Sequence, residues 1–361
     1  MKTQELYLKN LRYFYQFAKI ETSRLLKLPV KEIQDLLVKY VIHMRNIGLA
    51  HGSIKNRASV IITFLELNDI LVNKRKIARF YGEEKKTVKD FSYSIEDIQK
   101  MLSRASFRVK TMILFYSSTG IRKSAIIDLK LRHLKKIPEY GLYKITVYEN
   151  TRDEYYTFCT PECATAIDSY IEQRKQAGET ITQESYLFRN DYEYTDIRRV
   201  NHPQPVTGHS LSGVLRNLLI VCGLRGSSQE QFQRHEKAMF HAFRKFFDTS
   251  LVDANVNQLI KELLMGHSVG LDNSYFRPNE EKMLTEYVKA VNNLTINEEN
   301  RLKIKVNQLT ERQDEIDLMK LKHEKEMEAM DQKLDKVISM IQENPKLAKI
   351  KTSVLKNVRS S

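Results

Sequence analysis

The chain has 361 residues, enough for two compact domains and an extension, so a single small module is excluded. Hydrophobic residues make up 42% of it, yet no apolar run approaches the roughly 18 residues of a membrane-spanning helix, so we expect a cytoplasmic protein without a membrane partner. The 59 Lys and Arg against 45 Asp and Glu give a formal net charge of +14. This excess favours a polyanionic partner, with nucleic acid the leading candidate.

The N-terminal residues, from 1 to about 85, are predicted to form several amphipathic helices. Apolar residues recur at helical spacing in two runs, the first through Leu36, Leu37, Tyr40, Val41 and Met44 and the second through Val60, Ile61, Phe64 and Leu65. The segment IGLAHGSIKNR between the two runs has the glycines and polar residues of a turn. We therefore predict a helical domain at residues 1–88, with the domain boundary near residues 86 to 93.

Beyond this boundary the pattern changes to mixed α/β. Ser94 and Asp97 have the spacing of a capping box at a helix start. One helix is predicted around Val109 to Ser117, ending at Gly120, and a second from Arg122 to about Lys130. The segments YKITVY and YYTFCT, separated by the polar ENTRDE, predict a β-hairpin. Pro161 fits the first turn of the next helix, and helices continue to about Asn293.

The stretch from about Ile296 to Ile341 is charge-dense and has no Gly or Pro, which predicts a long helix. Its heptad d positions are Leu302, Leu309, Ile316, His323, Met330 and Val337, and its a positions are Val306, Gln313, Lys320, Met327, Leu334 and Ile341. This pattern predicts a coiled-coil helix at 296–343. A single solvated helix is the alternative, because Gln313, Lys320 and His323 interrupt the seam. Asn344 and Pro345 would end the helix, leaving a basic, disordered tail at 344–361.

The cysteine content gives no sign of a disulfide framework or a metal centre. Cys159, Cys163 and Cys222 are too few and too irregularly spaced for paired disulfides or for a CxxC zinc pair. We expect three reduced structural thiols and no metal.

Three short segments carry residues suited to phosphate chemistry. In TGIRKSAIIDL, Arg122 follows Gly120 at a predicted helix start, where backbone amides and a guanidinium can converge on one phosphate. In HAFRKFFDTSL, His241 and Arg244 are three residues apart and share a helix face. In LLMGHSVGLDNSYFRP, His267 follows a glycine turn, and Tyr275 comes eight residues later. Taken singly, each has a simpler structural explanation, such as a surface salt bridge for Arg122.

Together, and in this order, these segments resemble the TGxR box, the HxxR box and the GHS-then-tyrosine segment of the tyrosine recombinase, or phage integrase, family. The resemblance covers roughly residues 93 to 290. Among members of the family, integrases of archaea and their viruses or plasmids have the most similar sequences in three segments: FYSSTGIRKSAI, HAFRKFFDTSL and MGHSVGLDNSYFRP. The family resemblance implies a mainly α fold with a small β-sheet (α+β). Its parts would be a helical core-binding domain at 1–88, a catalytic domain at 93–293, and the C-terminal helix.

The resemblance also implies the chemistry. Tyr275 would attack a DNA phosphate to give a 3′-phosphotyrosine bond and a free 5′-hydroxyl, without any cofactor. Only about one phenol in a thousand is ionised at neutral pH, a handicap of roughly 4 kcal/mol, so cations must help. Arg122 and Arg244 would hold the non-bridging oxygens, and His241 and His267 would add hydrogen bonds, with His241 also able to accept the phenol proton.

The sequence departs from the family at several positions. Relatives usually carry a lysine in the hairpin turn as the general acid, whereas this turn offers Arg152, a poor acid. Lys144 on the preceding strand is the alternative. Ala125 stands where many relatives have an acidic residue. Tyr155, Tyr156 and Tyr287 are interpreted as packing residues.

Three functions remain open from the sequence. The first is a site-specific recombinase (an integrase) that acts on double-stranded DNA as a homo-oligomer, normally a tetramer, aided by the coiled coil. The second is a catalytically weak or inactive DNA-binding or scaffolding protein that keeps the fold, which the missing lysine favours. The third is a type IB topoisomerase-like enzyme, against which the integrase-like boxes and the coiled coil argue.

Overall fold

The computed structural model of the chain describes residues 2–84, 90–191, 195–226, 236–268 and 278–343. Internal contacts divide the chain into two compact units, residues 1–89 and residues 90–361. No helix in these described ranges has a stretch long and apolar enough to cross a bilayer.

The first unit is helical throughout its described part. Its helices are α1 (Lys2–Ala18), α2 (Thr22–Leu25), α3 (Val30–Asn46), α4 (His51–Glu66) and α5 (Lys74–Ala78). Helices α1, α3 and α4 pack against one another, and Phe14, Leu37, Tyr40 and Ile61 lie in their shared core. The two predicted apolar runs therefore face this core.

The turn between α3 and α4 is shorter than predicted from IGLAHGSIKNR. Only residues 47–50 form it, because α4 begins at His51 and includes Gly52. The carbonyl of Ala50 accepts hydrogen bonds from the amides of Ser53 and Ile54, and the Ile54 side chain is buried. Burial of the first apolar residue of α4 thus outweighs the helix-breaking tendency of the glycine.

The second unit combines helices with one small sheet, so the expected fold class, mainly α with a small β-sheet, is confirmed. Its elements in chain order are α6 (Ile95–Arg104), α7 (Phe107–Thr119), β1 (Leu134–Ile137), β2 (Leu142–Val147), β3 (Tyr155–Phe158), α8 (Pro161–Gln176), α9 (Ile197–Asn201), α10 (Gly208–Val221), α11 (His241–Asp253), α12 (Gln258–Leu264), α13 (Glu280–Leu294) and α14 (Glu298–Glu343).

The sheet is antiparallel with strand order β1-β2-β3. The predicted hairpin is present, with Val147 opposite Tyr155 and Lys144 opposite Phe158. Strand β1 was not predicted, because its four residues, LKKI, include two exposed lysines and show no alternation. Two predicted helix starts are also confirmed: Ser94 and Asp97 form a capping box, and Pro161 opens α8.

The predicted helix from Arg122 to Lys130 is wrong. After α7 ends, Gly120 adopts a left-handed conformation (φ +58°), and only a 3-10 turn at Ala125–Ile127 follows. The chain then extends, since the Leu129 carbonyl accepts a 2.8 Å hydrogen bond from the amide of Leu187. Pairing with a distant segment therefore overrides local helical propensity, and Arg122 lies in a loop rather than at a helix start.

Helices α7, α11 and α13 form the centre of the second unit's core. Tyr287 of α13 is fully buried, and its hydroxyl donates a 2.8 Å hydrogen bond to the Ser118 carbonyl. It is a packing residue, as interpreted from the sequence. The three cysteines are free, with Cys159 and Cys163 buried and Cys222 partly exposed.

Candidate active site

The end of α7, the start of α11 and the turn after α12 meet in the second unit. Arg122 leaves the turn after α7 with an exposed side chain, and its Nη2 donates a 3.0 Å hydrogen bond to the Gly266 carbonyl. Arg244 projects from α11 and is only 6% exposed. Its Nη1 donates to the Gly120 carbonyl at 2.7 Å and its Nη2 to the Met265 carbonyl at 2.5 Å. Each arginine is therefore hydrogen bonded to the turn that follows another helix.

Both turns require glycine. Gly120 and Gly266 have φ values of +58° and +64°, which residues with a side chain rarely adopt. A Cβ at Gly266 would lie 2.5 Å from Cε1 of Tyr155, and a Cβ at Gly120 would overlap the ring of Phe247. These contacts explain in steric terms the glycines of the TGIR and MGHS segments.

His267 lies between a cation and an anion. Its Nε2 is 2.7 Å from Nη2 of Arg244, and its Nδ1 is 2.5 Å from Oε2 of Glu262. A guanidinium can only donate, so Nε2 must accept, and the ring proton must then lie on Nδ1 and point to Glu262. Glu262 thereby orients the imidazole in one tautomer.

Glu262 was missed in the sequence analysis. It lies five residues before His267 at the end of α12, so a carboxylate at that spacing before the GH turn was the available signal. Lys261, whose side chain is buried, bonds both Glu262 (3.3 Å) and Asp248 of α11 (2.5 Å). Burial would raise the pKa of Glu262, but the hydrogen bonds from His267 and Lys261 outweigh it and lower the pKa.

The two guanidinium groups form a local concentration of positive charge. Burial, and then the charge of Arg122, lower the pKa of Arg244. Within the part of the chain that the structure describes, no carboxylate forms an ion pair with either arginine. Two neighbouring cations without a counter-ion favour the binding of an anion, and their planar forks match phosphate oxygens.

Tyr155 lines the same place from strand β3. Its ring packs against Gly266, and its hydroxyl is buried. Burial raises the pKa of Tyr155 to about 12, although the charges of Arg244 and Arg122 act to lower it. The interpretation of Tyr155 as a sheet-packing residue is thus incomplete, because its ring also supports the turn that carries His267.

Two further sequence candidates for the site are His241 and Tyr275. His241 is the first residue of α11 and is exposed, one turn before Arg244. Tyr275 lies outside the described residues, in the segment between His267 and the start of α13 at Glu280. The three described residues of the set that contact one another or the same turns are Arg122, Arg244 and His267.

The two candidates for the general acid differ in their surroundings. Nζ of Lys144 on β2 lies 2.6 Å from Oε2 of Glu280 and 4.5 Å from the ring centre of Tyr156, and its side chain is 18% exposed. Arg152 is exposed in the turn between β2 and β3. As for metals, no three His, Cys, Asp or Glu side chains in the described ranges are grouped so that they could hold an ion.

Comparisons with known proteins show which known fold the chain resembles. No family model matches the chain, and no curated protein matches it. Among solved structures, the Tn1549 transposon integrase with a circular intermediate DNA has 16% identity and a TM-score of 0.51, and the match covers 79% of this chain and 98% of that one.

Two further structures are similar over comparable lengths. The XerH site-specific recombinase bound to difH substrate has 15% identity and a TM-score of 0.48, with 78% of this chain and 76% of that chain covered. An integrase from mycobacterium phage Brujita has 17% identity and a TM-score of 0.41, with 82% and 87% covered. The likeness to the Tn1549 integrase shows that this chain has the tyrosine recombinase fold.

Proposed function

We propose that the chain is a site-specific DNA recombinase of the tyrosine type, which cleaves double-stranded DNA through a 3′-phosphotyrosine bond and rejoins it. The observation that carries this proposal is the contact of Arg244 with His267, with Arg122 bonded to the same turn. Three residues from three separate sequence segments lie together, and the positive charge of the two arginines favours binding of the negatively charged phosphodiester.

The site can bind and activate one phosphate. Arg122 is exposed and free to turn one edge of its guanidinium toward DNA, while Arg244 is held in place by two carbonyls. Charge-assisted hydrogen bonds from both arginines strengthen as negative charge builds on the pentacoordinate phosphorus. His241 supplies a further hydrogen bond to the phosphate oxygens, while His267, oriented by Glu262, accepts a hydrogen bond from Arg244 and holds its guanidinium in place.

Tyr275 is the proposed nucleophile. Its phenolic oxygen attacks phosphorus, the bond to the 5′-oxygen breaks, and the phenol proton passes to a base, for which we assign His241. The 3′-phosphotyrosine bond conserves the energy of the phosphodiester. A 5′-hydroxyl of a second duplex then reverses the step, so rejoining needs no nucleotide hydrolysis.

The 5′-oxygen needs a proton when it leaves. We assign this role to Lys144 rather than to Arg152, because an ammonium group gives up a proton far more readily than a guanidinium. The ion pair with Glu280 holds Lys144 beside the start of α13, five residues after Tyr275. Release from Glu280 when DNA binds would free Lys144 to act as the acid.

The charge distribution supports DNA as the partner and points to the first unit as its main source of affinity. Residues 1–89 contain 18 Lys and Arg against 8 Asp and Glu, whereas residues 90–297 contain 27 against 25. Phosphate contacts supply most non-specific affinity for DNA, so the first unit is the proposed core-binding domain. The sequences of the three segments further suggest an integrase of archaea or of their viruses or plasmids. We propose that it acts in the cytoplasm, as a tetramer on DNA.

One observation favours a second candidate, a DNA-binding protein of weak activity. The hairpin turn has no lysine, and Lys144 is bonded to Glu280 at 2.6 Å. If Lys144 stayed in that ion pair, the 5′-oxygen would leave without an acid and cleavage would be slow.

The deciding experiment uses nicked duplexes, in which the short leaving strand diffuses away and traps the covalent intermediate. A library of nicked random-sequence duplexes removes the need to know the target site. The proposal predicts a protein–DNA band that resists denaturation, and its loss in Tyr275→Phe. Tyr287→Phe is the matched control, because Tyr287 is buried in the core and its hydroxyl donates to the Ser118 carbonyl. No covalent band with wild type, or an equal band with Tyr275→Phe, contradicts the proposal.

A further inference from the structure

The C-terminal helix α14 is 46 residues long, or about 69 Å at the helical rise per residue. The two residues before it, Ile296 and Asn297, are hydrogen bonded to the rest of the second unit. The carboxylate of Glu162 accepts hydrogen bonds from the amides of Ile296 (2.8 Å) and Asn297 (3.0 Å), and Nε2 of Gln99 donates to the Ile296 carbonyl at 3.1 Å. The helix therefore starts from a defined point on the unit.

Beyond its first turns, α14 is exposed and carries an apolar stripe. The described apolar side chains of the heptad seam are between 47% and 64% exposed: Leu302, Val306, Leu309, Ile316, Met327, Met330, Leu334 and Val337. The stripe runs from residue 302 to residue 337, or about 53 Å. Stable soluble proteins rarely leave such a continuous apolar surface in water, so a partner of similar length is expected.

We propose that α14 pairs with the α14 of a second copy of the chain, in a parallel, in-register, two-stranded coiled coil. The spacing of the stripe is the alternating three-and-four pattern that keeps a seam facing one partner helix over its whole length. An identical helix matches the stripe in length and in position.

The charges beside the seam select the parallel orientation. In a parallel pair, Arg312 faces the partner's Asp317 with opposite charge, and Glu326 faces the partner's Asp331 with like charge. In an antiparallel pair of full overlap, Asp317 would face the partner's Glu324, and Arg312 would face the partner's Lys333. Both antiparallel pairs repel, whereas attraction and repulsion balance in the parallel pair.

The polar seam residues fit the same arrangement. Lys320 can direct its ammonium group out of the seam along its flexible stem. His323 lies next to the partner's Glu324 in the parallel pair, which supplies an acceptor for the imidazole. Gln313 faces the partner's Gln313, and the two side-chain amides can form a hydrogen bond with each other. These residues lower the stability of the pair but fix its register.

The test compares two leucines that are equally exposed in the single chain. Leu309 lies on the seam and is 57% exposed, whereas Leu318 lies on the opposite face and is 55% exposed. Sedimentation of the full chain without DNA should show a dimer. Leu309→Asp should raise its dissociation constant at least about 100-fold, because it places two carboxylates in the seam, and Leu318→Asp should leave it unchanged. A monomeric wild type, or equal effects of the two substitutions, overturns the proposal.

Cross-linking tests the orientation. In a Cys222→Ser background, Leu334→Cys places two thiols side by side in a parallel pair and should oxidise to a disulfide-linked dimer, while Leu318→Cys should not. In an antiparallel pair residue 334 would lie opposite residue 309, so failure of Leu334→Cys to cross-link a sedimenting dimer overturns the parallel assignment. Neither measurement depends on DNA cleavage, so the proposal stands or falls separately from the proposed activity.

Discussion

Nη2 of Arg244 lies 2.7 Å from Nε2 of His267, although the two residues are 23 positions apart in the chain. The same guanidinium also holds the Gly120 and Met265 carbonyls, so one buried side chain connects α11 with the turns after α7 and α12. Arg122 is bonded to Gly266 within this arrangement. These contacts are present without a ligand, so the proposed binding of a phosphate would require little reorganisation of the side chains.

The two arginines should separate stability from activity. Arg244→Ala leaves buried carbonyls without a donor and should lower the free energy of unfolding by about 3 kcal/mol. Arg122→Ala removes an exposed side chain and should change it by less than about 1 kcal/mol. Both should reduce covalent-complex formation at least about 100-fold, since each removes a phosphate ligand. Thermal unfolding together with the nicked-duplex assay checks this, and full activity of Arg122→Ala would contradict it.

Gly266→Ala should damage the site through Tyr155. The alanine methyl group would collide with the Tyr155 ring, and an alanine at this position would have to adopt an unfavourable positive φ. We therefore expect the free energy of unfolding to fall by about 3 kcal/mol. Gly223→Ala is the matched control, because Gly223 has φ +69° and open space around it. It should lose only about 1 kcal/mol. When Gly266→Ala is combined with Tyr155→Ala, the loss caused by the collision between the methyl group and the ring should disappear. If the losses of the two substitutions simply add, the Gly266–Tyr155 contact does not cause the destabilisation.

Glu262→Gln should weaken both the site and its stability at neutral pH. The pKa of Glu262 is lowered in the folded chain, so the carboxylate stabilises the fold above about pH 4.3 and this contribution is lost as pH falls through the lowered pKa. The difference from wild type should be about 1 kcal/mol at pH 7, should shrink as pH falls from about 4.3, and should vanish once the pH lies below the lowered pKa of Glu262. Unfolding measured across this pH range tests it, with the exposed Glu281→Gln as control. A difference that grows toward acid pH would be contrary to this account.

Lys144→Ala tests the assignment of the general acid. It should slow cleavage of an ordinary phosphodiester about 100-fold or more, because the 5′-oxygen then leaves unprotonated. A substrate with sulfur in place of that oxygen needs no acid, since a thiolate is a much better leaving group, and should be cleaved at nearly wild-type rate. Arg152→Ala should show neither effect. If Arg152→Ala alone is rescued by sulfur, the two assignments must be exchanged.

The extent to which the site was predictable depends on whether each contact is local. Arg244 and His241 could be placed on one helix face because their spacing is three, and the glycine turns were visible as glycines. The contact of Tyr155 with Gly266, and the pairing of Leu129 with Leu187 that replaces a predicted helix, join distant segments. Local propensity carries no information about such pairs.

The same reasoning applies to the elements of the fold. The β2–β3 hairpin and the capping box of α6 were predictable, since each is specified within a few residues. Strand β1 was not, because its short, lysine-rich sequence becomes a strand only by pairing with β2. Glu262 was missed for a similar reason: its carboxylate gains a role only when α12 ends beside Arg244.

The most direct measurement of the central claim is the chemical identity of the protein–DNA linkage. Covalent complexes from nicked duplexes are digested with protease and nuclease, and the remaining peptide–nucleotide adduct is sequenced by mass spectrometry. The account predicts a single adduct, on the peptide that contains Tyr275, joined through the Tyr275 oxygen to the 3′-phosphate of the cleaved strand. An adduct on Tyr155 or Tyr287, or a linkage to the 5′ end of the strand, would contradict it.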